Sequence, residues 1–211
     1  MQEFSYFLYF IPALVIAITV HEFSHAWMAN YFGDPTARYE GRISLNPLRH
    51  MDIVGTLMLF FVGIGWGKPV PVDSRHFRNP KVQGALVALA GPLSNFLTAI
   101  LMTIPYKYLS LDGSFAFFHF FAFILFRLSI LLFLFNLLPI PPLDGSSIFG
   151  LFVPDKFFHR YMTFLQENVK YFIAFLFIDI FILGRYLGFS LIGTVMGTLY
   201  EFIATFLLLG A

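Results

Sequence analysis

The chain has 211 residues, 58% of them hydrophobic and only 12% charged, with a mean hydropathy of +0.78. That is about half the charge of a soluble domain, so the composition excludes an ordinary soluble fold and leaves no room for a large soluble appendage. The net charge of +1 gives no basis for a nucleic-acid partner, and the absence of cysteine excludes disulfides and thiolate metal sites, so any metal here must be held by His and carboxylate side chains.

A helix needs about 20 mostly apolar residues to cross a bilayer. Residues 4–32 are long enough, interrupted only by a polar cluster at His21, Glu22, Ser24 and His25. The chain opens Met1-Gln2-Glu3, without a basic region or a small-residue cleavage pattern, so this first run is read as a retained span and not as a signal peptide. Gly33-Asp34-Pro35 stops it. Residues 36–52 are polar. The next apolar run, 53–66, is short and rich in Gly, and reads as a re-entrant hairpin or a short transmembrane helix. After a polar stretch containing Pro69, Pro71 and Pro80, residues 82–106 form a second span and 115–138 a third, interrupted by Arg127. Residues 170–183, containing Asp179, and 187–209 form a fourth and a fifth, with Arg185 between them. The expected fold is an all-α polytopic membrane protein in one domain, 1–211. It has about five transmembrane helices plus the 53–66 element, arranged as a core over 4–153 and a helical pair over 154–211.

Basic residues set the orientation. The stretch 34–81 carries Arg38, Arg42, Arg49, Lys68, Arg75, Arg78 and Lys81, and the stretch 154–170 carries Lys156, Arg160 and Lys170. The opposite side has only Lys107 in its loop and no basic residue in the N-terminal tail. This predicts a multi-pass membrane protein with an extracytoplasmic N-terminus and both basic stretches in the cytoplasm. His25 and Asp144 then lie toward the same, cytoplasmic, face.

The first span contains His21-Glu22-Phe23-Ser24-His25, an H-E-x-x-H sequence. On a helix, positions i and i+4 share a face, so both imidazoles can reach one zinc ion, and the adjacent Glu22 can take a proton from water beside it. Zinc lowers the pKa of bound water toward about 7. Ionisable side chains inside an apolar helix are costly and mark function, against the plainer reading of a polar cluster packed on neighbouring helices. Catalytic zinc takes three protein ligands. Asp144 is the strongest third candidate, because Pro139, Pro141, Pro142 and Gly145 break the chain around it on the cytoplasmic side of the third span. The bare sequence Pro-Pro-Leu-Asp-Gly is also an ordinary turn. Seven residues separate His25 from Gly33, which is about 10 Å of helix. The metal is therefore expected inside the bilayer, near its cytoplasmic surface.

These residues resemble the site-2 protease family of intramembrane zinc metalloproteases, in its compact prokaryotic branch. The resemblance is carried by His21 through His25, by Gly91-Pro92-Leu93-Ser94-Asn95 and by Asn136 through Gly145. It is extended by Gly33-Asp34-Pro35-Thr36, Gly41-Arg42, Leu45-Asn46-Pro47 and Lys68-Pro69-Val70. It covers residues 11–153. It implies one Zn2+ per chain on His21, His25 and Asp144, Glu22 as general base, and Asn95 and Asn136 as supports for the substrate backbone or its carbonyl. Both asparagines also read as helix–helix hydrogen bonds. The resemblance further implies that 53–66 holds an extended substrate, and that the partner is a transmembrane protein cleaved in or near its membrane segment. No soluble domain is inserted between the first two motif-bearing spans. A membrane metal transporter and an inactive protease-like scaffold remain as alternatives: the first needs further ligands along the spans, and the second sits poorly with an intact Glu22.

Overall fold

The computed structural model describes residues 2–55, 67–109 and 113–209. The first apolar run forms α1 (Gln2–Tyr31). It ends where Gly33 takes a φ of +100°. Asp34 N–H there reaches back to the Ala29 carbonyl and Gly33 N–H to that of Asn30, both at 3.0 Å. This Schellman closure satisfies carbonyls that a helix end otherwise leaves open. A single turn, α2 (Thr36–Tyr39), and a short 3-10 turn at Pro47–Arg49 fill the polar stretch that follows, and another 3-10 turn at Ser74–His76 lies in the polar stretch before the second span.

The second and third spans are α3 (Pro80–Tyr108) and α4 (Ala116–Asn136). The Asn79 side chain accepts from Val82 N–H at 3.1 Å, and Pro80 occupies the first helical position, so the start of α3 is fixed by its own sequence. The helices α1, α3 and α4 are each long and apolar enough to cross a membrane. Small residues let them approach closely. Ala13 and Ala17 of α1 pack on Ile124 and Leu125 of α4, while Ala29 of α1 packs with Phe77 and with Val87 of α3. Outward, Leu97, Leu101 and Ile104 of α3 and Phe117, Phe118 and Phe120 of α4 are exposed, the apolar surface a bilayer covers.

After α4 come α5 (Asp144–Phe149), α6 (Asp155–Phe177) with a π-helical extension (Ile178–Leu187), and α7 (Leu191–Leu207). The five apolar helices expected from sequence correspond to α1, α3, α4, α6 and α7, with two changes. The fourth, expected to span 170–183, begins at Asp155, so the basic stretch lies within its helix, inside the 154–211 bounds expected for the pair. The last two qualify as membrane-crossing only together, as a pair bent by 89°. The bend is built on Gly188, whose φ is +66°, and on Asp179, whose carboxylate accepts from Ser190 O–H at 2.6 Å and from the N–H groups of Leu191 and Ile192 at 2.9 and 3.0 Å. Ile192, Met196 and Ala204 of α7 then pack against Phe126, Ile130 and Leu134 of α4.

Of the apolar run 53–66, residues 56–66 lie outside the described residues. Its flanks are joined: Met51 and Gly67 form an antiparallel bridge, and Lys68 N–H donates to the His50 carbonyl at 2.8 Å.

Candidate metal centre

The i, i+4 spacing brings the imidazoles of α1 together as expected, with His21 Nε2 and His25 Nε2 3.0 Å apart. Asp144, first residue of α5, places Oδ2 3.2 Å from the former and 3.4 Å from the latter. Both histidines are buried. The Asp144 oxygen is also buried, and neither contact has the geometry of a hydrogen bond. Among the described residues, this is the one group of three His, Cys or acidic side chains poised to share an ion.

Local sequence explains each position. Gly145 packs against the end of α4, where an added Cβ would stand 2.3 Å from the carbonyl oxygens of Leu137 and Leu138. Only glycine lets α5 start that close, and the closeness carries Asp144 to the histidines. Gly91 does the same from α3: a Cβ there would fall 2.3 Å from His25 Nε2 and 2.7 Å from His21 Cε1. His25 Nδ1 lies 2.7 Å from the Val87 carbonyl. A carbonyl only accepts, so Nδ1 carries the hydrogen and Nε2 of the neutral ring offers a lone pair.

The residues present fit zinc. Ligand atoms about 2.0–2.1 Å from a tetrahedral zinc ion stand roughly 3.3 Å apart, and the three separations here are 3.0, 3.2 and 3.4 Å. With the hydrogen of each imidazole on Nδ1, two nitrogen lone pairs and a carboxylate oxygen face one another at these distances, and a cation between them relieves their repulsion.

Glu22 faces the same space, with Oε2 accepting from Val70 N–H at 3.2 Å. Val70 belongs to a strap, 67–73, tied down elsewhere. Arg42, itself buried, donates to the Lys68 carbonyl, and Asp73 N–H donates to the fully buried Asp34 at 2.7 Å. Asp34 and Arg42, from two of the motifs, thus act at a distance, by holding the strap that meets Glu22.

The centre opens into a cleft of about 1180 Å3, lined by Glu22, Val70, Lys81, Asn136, Asp144 and His159 among others. This exceeds the roughly 300–1,000 Å3 of ordinary small-molecule pockets. Its far wall is α6, tied to α3 by Lys81, which donates to the Val153 carbonyl at 2.6 Å and to Asp155 at 2.8 Å. Tyr161 of α6 donates to the Ser146 carbonyl of α5 at 2.7 Å.

Asn136 lines this cleft, its amide donating to the Leu132 carbonyl at 3.0 Å. Asn95 is fully buried behind His21, with its amide nitrogen 3.1 Å from Nδ1. Of the other histidines, His50 contacts the Ser44 carbonyl, His76 contacts Asp34 and His119 contacts the Leu109 carbonyl. Glu167 and Glu201 are exposed. The contributions of Val70 and Val87 come through backbone atoms, which no side-chain motif signals.

Comparisons with known proteins identify the family of the chain. The model of Peptidase family M50 matches residues 9–111 and 109–180. YwhC of Bacillus subtilis (strain 168), by its name a candidate zinc metalloprotease, is 40% identical over 185 residues, covering 84% of this chain and 83% of that protein. Rip2 of Mycolicibacterium smegmatis, named in the same way, is 33% identical over 150 residues, covering 66% of this chain and 55% of that protein. The regulator of sigma-E protease RseP of Escherichia coli K12 is 35% identical over 103 residues, which is 43% of this chain and 23% of that protein. No solved structure matches. The chain belongs to peptidase family M50, the site-2 protease family its motifs resemble.

Proposed function

We propose that the protein is an intramembrane zinc endopeptidase that hydrolyses peptide bonds in or near the transmembrane segment of a membrane-protein substrate. Family membership makes the chain a metallopeptidase, and its apolar helices make it a membrane protein. The observation that carries the reading is the meeting of His21, His25 and Asp144 beside Glu22, at the head of a cleft large enough for an extended chain.

A zinc ion held by His21, His25 and Asp144 supplies Lewis acidity toward water and the scissile carbonyl. Glu22 accepts the proton of the attacking water and returns it to the leaving amine. Asn136, on the cleft wall, holds the substrate backbone or its carbonyl oxygen. Substrate peptide bonds shielded in a helix must unwind first, and the cleft receives them in extended form.

The site faces the cytoplasm. Six residues of α1 follow His25, or about 9 Å of helix, and the polar end they reach carries the basic residues Arg75 and Lys81 of the cleft. The protein then sits in a prokaryotic plasma membrane with its N-terminus outside. The transporter alternative needs a second ligand group along the spans, and the described residues hold one group.

Glu22→Gln tests the mechanism. In detergent-purified protein it keeps about one zinc per chain and loses cleavage of a membrane-segment substrate by at least about 100-fold. Full cleavage by that variant would overturn the general-base role, and wild-type protein that takes up no zinc would overturn the reading altogether.

A further inference from the structure

Both imidazoles of the centre rest on one helix. Val87, Gly91 and Asn95 recur every fourth residue on α3, hence on one face. The first offers a backbone carbonyl to His25, the second offers space, and the third offers an amide to His21. We infer that Asn95 is a positioning residue of the metal centre: its side-chain oxygen accepts the Nδ1 hydrogen of His21, which turns the Nε2 lone pair of that ring toward the metal.

The argument is one of hydrogen-bond bookkeeping. His21 faces His25 and Asp144 through Nε2. An imidazole that ligates through Nε2 keeps its hydrogen on Nδ1 and needs an acceptor there, as metal-bound histidines regularly have. His25 obtains one from Val87. The group facing His21 Nδ1 is the Asn95 amide, and no other partner of that nitrogen is found among the described residues. Amide oxygen and nitrogen share one shape, so their assignment follows from the partners they meet. With Nδ2 toward His21, two donors oppose each other, and Oδ1 is left buried without a partner. Rotating the amide by half a turn sets Oδ1 against Nδ1–H, so that a donor meets an acceptor and the metal-ligating ring gains the acceptor it needs, while Nδ2 takes the buried place that Oδ1 held.

Asn95 is wholly buried behind His21, and the cleft lining does not include it. It therefore touches the metal ligand and not the substrate. This separates it from Asn136, which the sequence motifs placed in the same role.

The inference rests on the metallopeptidase reading, and one experiment separates the two. Zinc affinity is measured by competition with a chromophoric chelator on detergent-purified full-length wild type, Asn95→Ala and Asn95→Asp. The visible spectra of the cobalt-loaded proteins are recorded beside it. Loss of the acceptor in Asn95→Ala weakens metal binding by about 10- to 100-fold and alters the cobalt spectrum. Asn95→Asp, which only accepts, binds zinc at least as tightly as wild type. An Asn95→Ala affinity within twofold of wild type would overturn the positioning role while leaving the peptidase reading intact. An Asn95→Asp protein as weak as Asn95→Ala would overturn the oxygen assignment. Wild type without zinc would overturn both. Should Asn95→Asp fail to elute as folded protein, Asn95→Ala against wild type decides.

Discussion

Val70 N–H donates to the Glu22 carboxylate at 3.2 Å, across 48 residues of chain. Pro69 and Pro71 flank Val70 and have no N–H of their own, so over these three residues the strap has a single main-chain donor, and it points at the carboxylate proposed as the general base. Such a bond fixes the carboxylate for proton transfer without touching the metal. Val70→Pro deletes the donor. It should lower kcat by about tenfold, a part of the 10²–10⁴ that general-base catalysis supplies, with zinc content unchanged. Val70→Ala, which keeps the N–H, should stay near wild type. Equal kcat values for the two variants would show that the bond does not matter to turnover.

Two glycines make the metal centre possible by lacking a Cβ. At Gly145 the obstacle is backbone, the carbonyls ending α4, and at Gly91 it is the imidazoles themselves. Gly91→Ala should push the histidines off α3 and cost most of the bound zinc. Gly145→Ala should move Asp144 away and weaken zinc binding by about 10-fold or more, as loss of a supporting contact does. Gly197 on α7 has open space around it, so Gly197→Ala should leave zinc content untouched and stabilise the helix by about 0.5–1 kcal/mol. Zinc titration of the three variants checks this, and a full complement of zinc in Gly91→Ala would refute the packing argument.

The pair His21 and His25 was legible in the sequence because i, i+4 geometry is local: the helix alone brings them together. Asp144 was legible because Pro139, Pro141, Pro142 and Gly145 mark a break just after a span. What α3 contributes was harder to read. Its register against α1 comes from packing of small residues, and the Val87 carbonyl has no sequence signature. Asn95 was expected either at the substrate or in a helix–helix hydrogen bond, and its amide meets His21 across helices, since which way a buried side chain faces depends on that same register. The first half of α6 lay within the helical pair expected over 154–211 but outside the fourth span, for a different reason. Lys156, Arg160 and Glu167 lower the hydropathy of its first half, which resembles a loop when judged by apolar content. In the fold these turns line the cleft through His159, Met162 and Gln166, and a helix with one polar face fits there.

The bend after α6 rests on a buried carboxylate with three donors. Asp179 takes hydrogen bonds from Ser190, Leu191 and Ile192, and thereby satisfies N–H groups at the start of α7 that no helix can satisfy internally. Ser190 in turn accepts from Gly193 N–H at 2.8 Å. Asp179→Ala removes the acceptor for all three donors and should cost on the order of 1–3 kcal/mol. Ser190→Ala removes one donor and one cap and should cost about 1 kcal/mol. Because the two residues share a bond, the double variant should lose less than the sum of the single losses. Neither residue touches His21, His25 or Asp144, so zinc content in the folded fraction should hold at wild-type level. Thermal melts followed by circular dichroism, with zinc assayed on the same samples, measure both quantities. Loss of zinc from Asp179→Ala at unchanged thermal stability would tie this carboxylate to the metal centre and refute its role as a helix cap.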